Sequence, residues 1–103
     1  MMEPTTVTAT LEALARRGFG ANLAVIGGAV RVLGKGRAYK SDELAIREYH
    51  RFEGVSDPDD MSIVYAIESR DGTRGVLVDA FGVYANPEVG AVLRDVRFLR
   101  EGW

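Results

Sequence analysis

Cysteine is absent from this sequence of 103 residues. A chain without cysteine cannot form a disulfide framework, a thiolate metal site or a cysteine nucleophile, so several classes of enzyme and metalloprotein are excluded. The same absence makes the cytoplasm the expected location. Histidine is nearly absent, because His50 is the only one. A site that needs three histidines is therefore impossible, and a lone histidine more often packs or donates a hydrogen bond than catalyses.

The sequence also lacks a large excess of either charge and lacks a long apolar run. Its formal net charge of −2 provides no long-range attraction for phosphate backbones, so nucleic acid is not an expected partner. The N-terminal residues MMEPTTVTAT carry an acid and a proline where a signal peptide would carry basic residues and an apolar run. Every apolar stretch is shorter than a membrane span. We expect neither export nor membrane anchoring.

What is present is the composition of an ordinary globular domain. Hydrophobic residues make up 47% of the chain and charged residues 27%, and these shares argue against disorder. The length suits one domain with its own core. We therefore expect residues 1–103 to form a single domain.

Local patterns predict a helix, five strands and a second helix. The spacing of Val7, Leu11 and Leu14 predicts the first helix over about residues 7–17, and the second is predicted over about 87–100. The strands are predicted at residues 22–26, 29–33, 44–53, 62–68 and 75–82. This order predicts an α+β domain in which both helices pack on one face of a mainly antiparallel five-stranded sheet.

Both faces of the predicted sheet are apolar. Ile63 and Tyr65 would point to one side, and Val64 and Ala66 to the other. Two short helices can cover one face, so the other would need a cover, and a two-fold homodimer is the commonest one. We therefore expect a homodimer. The alternative is that residues 31–44, or the C-terminal Phe98 and Trp103, fold across this face.

Two stretches of the sequence partly resemble known ligand-binding motifs, but neither matches its motif. The run GAVRVLGK from Gly28 resembles a phosphate-binding loop, but its spacer has one residue too many and Gly36 replaces the hydroxyl that would bind magnesium. A calcium loop starting at Asp57 would place Met61 at a ligand position and Ser62 where glycine is needed. We expect no cofactor and no metal site of either kind.

The stretch RFEGVSDPDDMSIVYAIES contains the best candidate site. Around Pro58 the acidic side chains can cap exposed backbone amides, so a purely structural turn is one interpretation. The other is a binding site, because Arg51 and Glu53 alternate onto one face of a strand and Asp79 interrupts the apolar run GVLVDAF. Arg51 is the expected partner of Asp79. The candidate ligand-binding residues are Arg51, Glu53, Asp57, Asp59, Asp60 and Asp79; none is predicted to be catalytic.

Residues 49–84, YHRFEGVSDPDDMSIVYAIESRDGTRGVLVDAFGVY, resemble a small family of uncharacterised bacterial proteins of about this length, which share the pattern RFEG-SDPDD-YAI-S-G-GVLVDA-G-Y. The N-terminal LARRGF resembles the family weakly. Many members are labelled phosphoribosylpyrophosphate synthetase. Proteins that bind phosphoribosylpyrophosphate carry two adjacent acidic residues after an apolar strand, followed by a loop rich in threonine and glycine. Here Ala80 follows Asp79 and the residues FGVY come next, so these residues do not support that activity.

Two functions from different classes agree with the sequence. The first is a non-enzymatic binding or regulatory module, whose partner is a protein or a small molecule and whose recognition surface is formed by the candidate residues. The second is a small enzyme or ligand-binding protein for a phosphorylated sugar or nucleotide. It would hold magnesium through Asp57, Asp60 or Asp79 and the phosphate through Arg51. The first is favoured, because no nucleophile or cofactor loop accompanies the charges.

Overall fold

The structure, a computed structural model, describes residues 6–52, 61–80 and 85–99. Its helices are α1 (Val7–Arg16) and α2 (Pro87–Leu93). Its strands are β1 (Ala21–Ile26), β2 (Ala29–Val32), β3 (Ala38–Tyr39), β4 (Leu44–Phe52), β5 (Ser62–Ser69), β6 (Arg74–Ala80) and β7 (Arg97–Phe98), and a 3-10 turn spans Ser41–Glu43. Within these described ranges, no helix is both long and apolar enough to cross a membrane.

The α+β class predicted from the sequence is confirmed, but the sheet is larger and less uniform than predicted. Its seven strands follow the order β3-β2-β1-β6-β5-β4-β7. The pairs β1–β6 and β4–β7 are parallel, and the remaining pairs are antiparallel. The prediction of five strands was wrong because β3 and β7 contain two residues each. Strands this short carry no alternating pattern, and only their partners define them.

Helix α2 ends at Leu93, well before the predicted end at residue 100. Asn86 caps its first turn by accepting a hydrogen bond from the Glu88 amide at 2.9 Å, as its sequence position favours. After the helix the chain turns and runs parallel to β4, where the Leu99 amide donates to the Ile46 carbonyl at 3.0 Å. The outer edge of β4 offers unpaired backbone groups. The segment after Leu93 pairs with these backbone groups of β4 and forms β7, although its own sequence favours a longer helix.

The two helices pack on opposite faces of the sheet, which corrects the prediction that both cover one face. Val64 and Ala66 of β5 pack in a core with Leu14 of α1. Ile67 of the same strand packs in a second core with Val92 of α2. Because side chains alternate along a strand, α1 lies on one face of β5 and α2 lies on the other. No whole face is therefore left open, and the original argument for a dimer is weakened.

The core beneath α2 is the larger of the two, because the sheet curls around this helix. Val30 of β2 and Ile46 of β4 belong to the same buried cluster, although three strands separate β2 from β4 in the sheet. Hydrogen bonds hold the segment after β2 against the rest of the domain: the Tyr39 hydroxyl donates to Asp71 Oδ2 at 2.7 Å, and the Ser41 hydroxyl donates to the Val92 carbonyl of α2 at 2.9 Å.

The face that carries α1 is only partly covered. Ile26, Leu33 and Val78 are large apolar residues with about half of their surface exposed, at 49%, 53% and 44%. Ile26 is three positions from Leu23 in β1 and Val78 is next to Leu77 in β6, and both leucines belong to the α2 core, so Ile26 and Val78 point to the α1 side. Leu33 directly follows β2 in a turn. We call these three residues the apolar patch.

Candidate functional site

Arg51 and Asp79 lie on the same face of the sheet, one on each side of Ile63. In the strand ladder Ile63 is opposite Arg51 of β4 and opposite Asp79 of β6. Neighbouring strands are about 4.8 Å apart, so the two Cα atoms are separated by roughly 10 Å. Arg51 is exposed, Asp79 is half-buried and Ile63 is buried. The row therefore presents a cation and an anion beside an apolar residue.

The partner of Asp79 differs from the one expected. Its Oδ1 atom accepts a hydrogen bond from the backbone amide of Asn86 at 3.3 Å. The described residues contain no ion pair between Asp79 and Arg51. Asp79 thus joins the start of α2 to β6, while sharing a face with Arg51 across one intervening strand.

The remaining predicted site residues lie outside the described part of the chain: they are Glu53, Asp57, Asp59 and Asp60. In sequence, residues 53–60 connect Phe52, the last residue of β4, to Met61 just before β5. Phe52 and Met61, the described residues on either side, lie at the end of the sheet where the row of Arg51, Ile63 and Asp79 lies. Among the residues that the structure does describe, no group of three or more acidic or histidine side chains is placed to hold a metal.

Three aromatic rings extend this face beside the row. The ring centroids of Tyr49 and Tyr65 are 6.5 Å apart, and Tyr49 meets Phe98 edge-on at 5.9 Å. Tyr49 and Phe98 are about half exposed, at 51% and 44%, and a groove of about 430 Å³ opens beside them. Burial raises the pKa of Tyr65, and the negative charge of Asp79 and the neighbouring Tyr49 raise it further. We call Tyr49, Tyr65 and Phe98 the aromatic patch.

A bulge at Arg47 decides which side chains share this face. The register of β4 against β5 shifts between Ile46 and Glu48. Without that extra residue, Tyr49 would point away from Tyr65 and Arg51 away from Asp79, because one residue inverts the alternation. The sequence carries no clear signal for the bulge. Sequence reasoning therefore missed the aromatic patch, although every member is visible in the sequence.

The bulge is held by a buried carboxylate. Arg47 donates from Nε to Glu68 Oε1 at 2.7 Å and from Nη1 to the Leu99 carbonyl at 3.0 Å. Arg74 donates from Nε to Glu68 Oε2 at 3.0 Å. Burial opposes ionisation of Glu68, but the two arginines outweigh it through hydrogen bonds and charge, so the pKa of Glu68 lies below its ordinary value. The network joins β4, β5, β6 and the start of the C-terminal segment.

A second charged group lies on the α1 side of the same strands. Arg17 Nη1 is 2.6 Å from Glu48 Oε1, and His50 Nε2 is 3.1 Å from Glu48 Oε2. The guanidinium groups of Arg17 and Arg74 both lie over the ring of Phe19, at 6.0 and 5.6 Å from its centroid. These contacts fasten the end of α1 to the sheet, and they account for His50 as a hydrogen-bonding residue.

Comparison of the chain with models of protein families, with curated proteins and with solved structures gives no significant match. Function is therefore inferred from the residues and their geometry.

Proposed function

We propose that the protein is a non-enzymatic binding or regulatory module. Its recognition surface consists of the row of Arg51, Ile63 and Asp79 and the adjoining aromatic patch. The observation that carries this proposal is the exposure of Tyr49 and Phe98 beside a cation and an anion on a curled sheet. Aromatic residues and arginine are enriched at the centres of protein interfaces, where they bind through apolar area and directed hydrogen bonds.

The acidic residues that the sequence places between β4 and β5 suggest the chemistry of the partner. In sequence, Glu53, Asp57, Asp59 and Asp60 join the two strands that carry the row. Together with Asp79 they outnumber the single cation Arg51. A protein partner with basic side chains around an apolar anchor would complement this surface, because opposite charges speed encounter and fix orientation.

The experiment is capture of partners from a native lysate, followed by binding measurements with each captured protein. The test variants are Tyr49→Ala and the double variant Arg51→Ala/Asp60→Ala. The matched control is Glu12→Ala/Arg31→Ala, which removes one exposed acid and one exposed arginine elsewhere on the molecule. We expect the test variants to lose a partner that the control retains. Equal recovery by all of them, with unchanged thermal unfolding, would contradict the proposal.

A second candidate function is binding or turnover of a phosphorylated sugar or nucleotide with magnesium. It is favoured by the placement of Arg51 and Asp79 on one face, roughly 10 Å apart, where a cation could meet a phosphate and a carboxylate could meet magnesium. Thermal shifts with a panel of nucleotides and sugar phosphates, with and without magnesium, test it. If no compound in the panel changes the melting temperature, this function is without support.

We also propose that the chain forms a cytoplasmic homodimer. Support for the location is the absence of cysteine. Support for the dimer is the exposed apolar patch of Ile26, Leu33 and Val78, since exposed apolar surface on a small protein is commonly covered by a second copy. Sedimentation velocity should give a dimer at tens of micromolar, and Ile26→Asp should dissociate it while Tyr49→Asp should not. A wild-type monomer of 11.2 kDa refutes the dimer.

A further inference from the structure

A cavity of about 480 Å³ lies at the opposite end of the sheet from the proposed recognition surface. It is lined by Ala21, Val32, Lys35, Arg37 and Thr73. These residues come from the start of β1, the end of β2, the loop that follows β2 and the turn between β5 and β6. The seven residues from Ile63 to Ser69 along β5 span roughly 20 Å. The cavity is therefore separate from the row of Arg51, Ile63 and Asp79.

The loop after β2 brings two cations to this cavity. Gly34 and Gly36 have φ values of +83° and +69°, which only glycine adopts at little cost. The Val32 amide donates to the Arg37 carbonyl at 2.8 Å, and the Lys35 amide donates to the Val32 carbonyl at 3.2 Å. These bonds close a tight loop, so Lys35 and Arg37 reach the same cavity although their like charges repel each other.

The guanidinium group of Arg37, whose side chain is 64% exposed, is paired with Asp71. Its Nη1 atom is 2.6 Å from Asp71 Oδ2, which also accepts a hydrogen bond from the Tyr39 hydroxyl at 2.7 Å. Asp71 Oδ1 accepts from the Thr73 amide at 3.0 Å and from the Ser69 hydroxyl. The Ser69 and Tyr39 hydroxyls and the Thr73 amide hold the pKa of Asp71 well below its usual range. The carboxylate therefore stays charged and orients Arg37 before any ligand arrives.

The charged side chains that the structure describes at this cavity and in contact with its lining leave a positive charge. Lys35 and Arg37 contribute two positive charges, and Asp71 contributes one negative charge. Within the described part of the chain, Lys35 makes no ion pair or side-chain hydrogen bond. Ala21 and Val32 supply apolar wall, and the volume lies within the range of pockets that hold small organic molecules. The remaining positive charge thus faces a space that suits such a molecule.

We propose that this cavity binds a small organic molecule carrying a phosphate or carboxylate group, with Lys35 and Arg37 holding the anionic oxygens. Arginine offers two parallel N–H donors to such a group, and lysine adds a mobile point charge. The apolar wall of Ala21 and Val32 contacts the body of the ligand. This site is independent of the proposed function, because it uses neither the aromatic patch nor the acidic stretch.

The experiment is NMR titration of the full chain at constant ionic strength, so that general screening does not change. The probes are inorganic phosphate, glucose 6-phosphate, succinate and, as the neutral control, glucose. We expect one or more of the anionic probes to shift the amide signals of residues 33–37 and Thr73, and glucose not to do so. Comparison of the two phosphate-containing probes with succinate then shows whether the site binds a phosphate or a carboxylate group.

Variants test whether the two named cations carry the binding. Lys35→Ala should weaken it about tenfold, the effect of losing one charge-assisted hydrogen bond, and Lys35→Arg should restore most of it. The control is Arg31→Ala, which removes an exposed cation from β2 on the other face, because Val30 and Val32 beside it point into the α2 core. The proposal is overturned if no anionic probe shifts these amides, if glucose shifts them equally, or if Arg31→Ala weakens binding as much as Lys35→Ala.

Discussion

Arg47 and Glu68 face each other across β4 and β5, with Nη2 of the arginine 2.6 Å from Oε1 of the glutamate. Their side chains are 16% and 11% exposed, so this ion pair is largely shielded from water. Arg47 is also the residue at the bulge that directs Tyr49 and Arg51 toward the proposed recognition surface. The stability of the sheet and the geometry of that surface therefore depend on the same contact.

Replacing Glu68 by glutamine should destabilise the fold by about 2 kcal/mol. Removing one member of a buried pair leaves the other charge uncompensated, and the loss is moderated because Arg74 is 46% exposed. Urea denaturation measures the effect. The control is Glu12→Gln, since Glu12 is 61% exposed and 4.0 Å from Arg16, and a change within about 0.5 kcal/mol is expected there. Equal effects would mean that the network contributes little.

The contribution of Glu68 to the free energy of unfolding should depend on pH. Its folded-state pKa lies below the ordinary value of 4.5, so the native state binds fewer protons than the unfolded chain in this range. The stabilisation is then complete above that value and is lost as the pH falls through the folded pKa. The stability difference between wild type and Glu68→Gln should be larger at about pH 7 than at about pH 3. A difference that stays constant would show that the charge of Glu68 does not stabilise the fold.

Gly75 should not tolerate alanine. A Cβ at this position would lie 2.5 Å from the Ala21 carbonyl oxygen and 2.9 Å from Leu23 Cγ, where β6 and β1 pair in parallel. We expect Gly75→Ala to cost about 2–3 kcal/mol through overpacking. The matched control is Gly90→Ala in α2, where a Cβ meets nothing within 4 Å and alanine should stabilise by about 0.5–1 kcal/mol. Thermal unfolding should show a lower melting temperature for Gly75→Ala and a higher one for Gly90→Ala than for the wild type.

Tyr65 should titrate above its ordinary pKa of 10.0, chiefly because it is partly buried and secondly because Asp79 is nearby. Replacing Asp79 by asparagine should lower the pKa of Tyr65 but leave it above 10.0, since burial is the larger cause. Absorbance of tyrosinate against pH, compared with a Tyr65→Phe variant, isolates this residue. A pKa of Tyr65 that does not respond to Asp79→Asn would contradict the proposed electrostatic link between the row and the aromatic patch.

Local chemistry in the sequence was enough to predict most of the individual elements. Thr6 caps α1 by accepting from the Ala9 amide at 3.0 Å. Gly27 and Gly28 have φ values of +62° and +79° and turn β1 into its antiparallel partner β2, as their position between two apolar runs predicts. Gly72 has a φ value of +94° and lies in the turn between β5 and β6. These elements were predictable because the residues that define them are adjacent in the chain.

The candidate site was predictable only in part. The apolar run around Asp79 made this carboxylate conspicuous, and the structure places it on the same face as Arg51. The contact with the Asn86 amide was not predictable, because it depends on where α2 meets the sheet. Glu53 and the acidic residues up to Asp60 lie outside the described residues, so their part in a site stays a prediction.

The sequence by itself determined the α+β class, the first helix, the two glycine-containing hairpin turns and the cap of the second helix, because backbone preferences within a few residues decide each of them. Only the tertiary structure decided the parallel pairs, the end of α2 at Leu93, the bulge at Arg47 and the packing of the helices on opposite faces. Each of these depends on which distant strand offers an unpaired edge or an uncovered face. That information is shared between segments far apart in the chain, and no local pattern contains it.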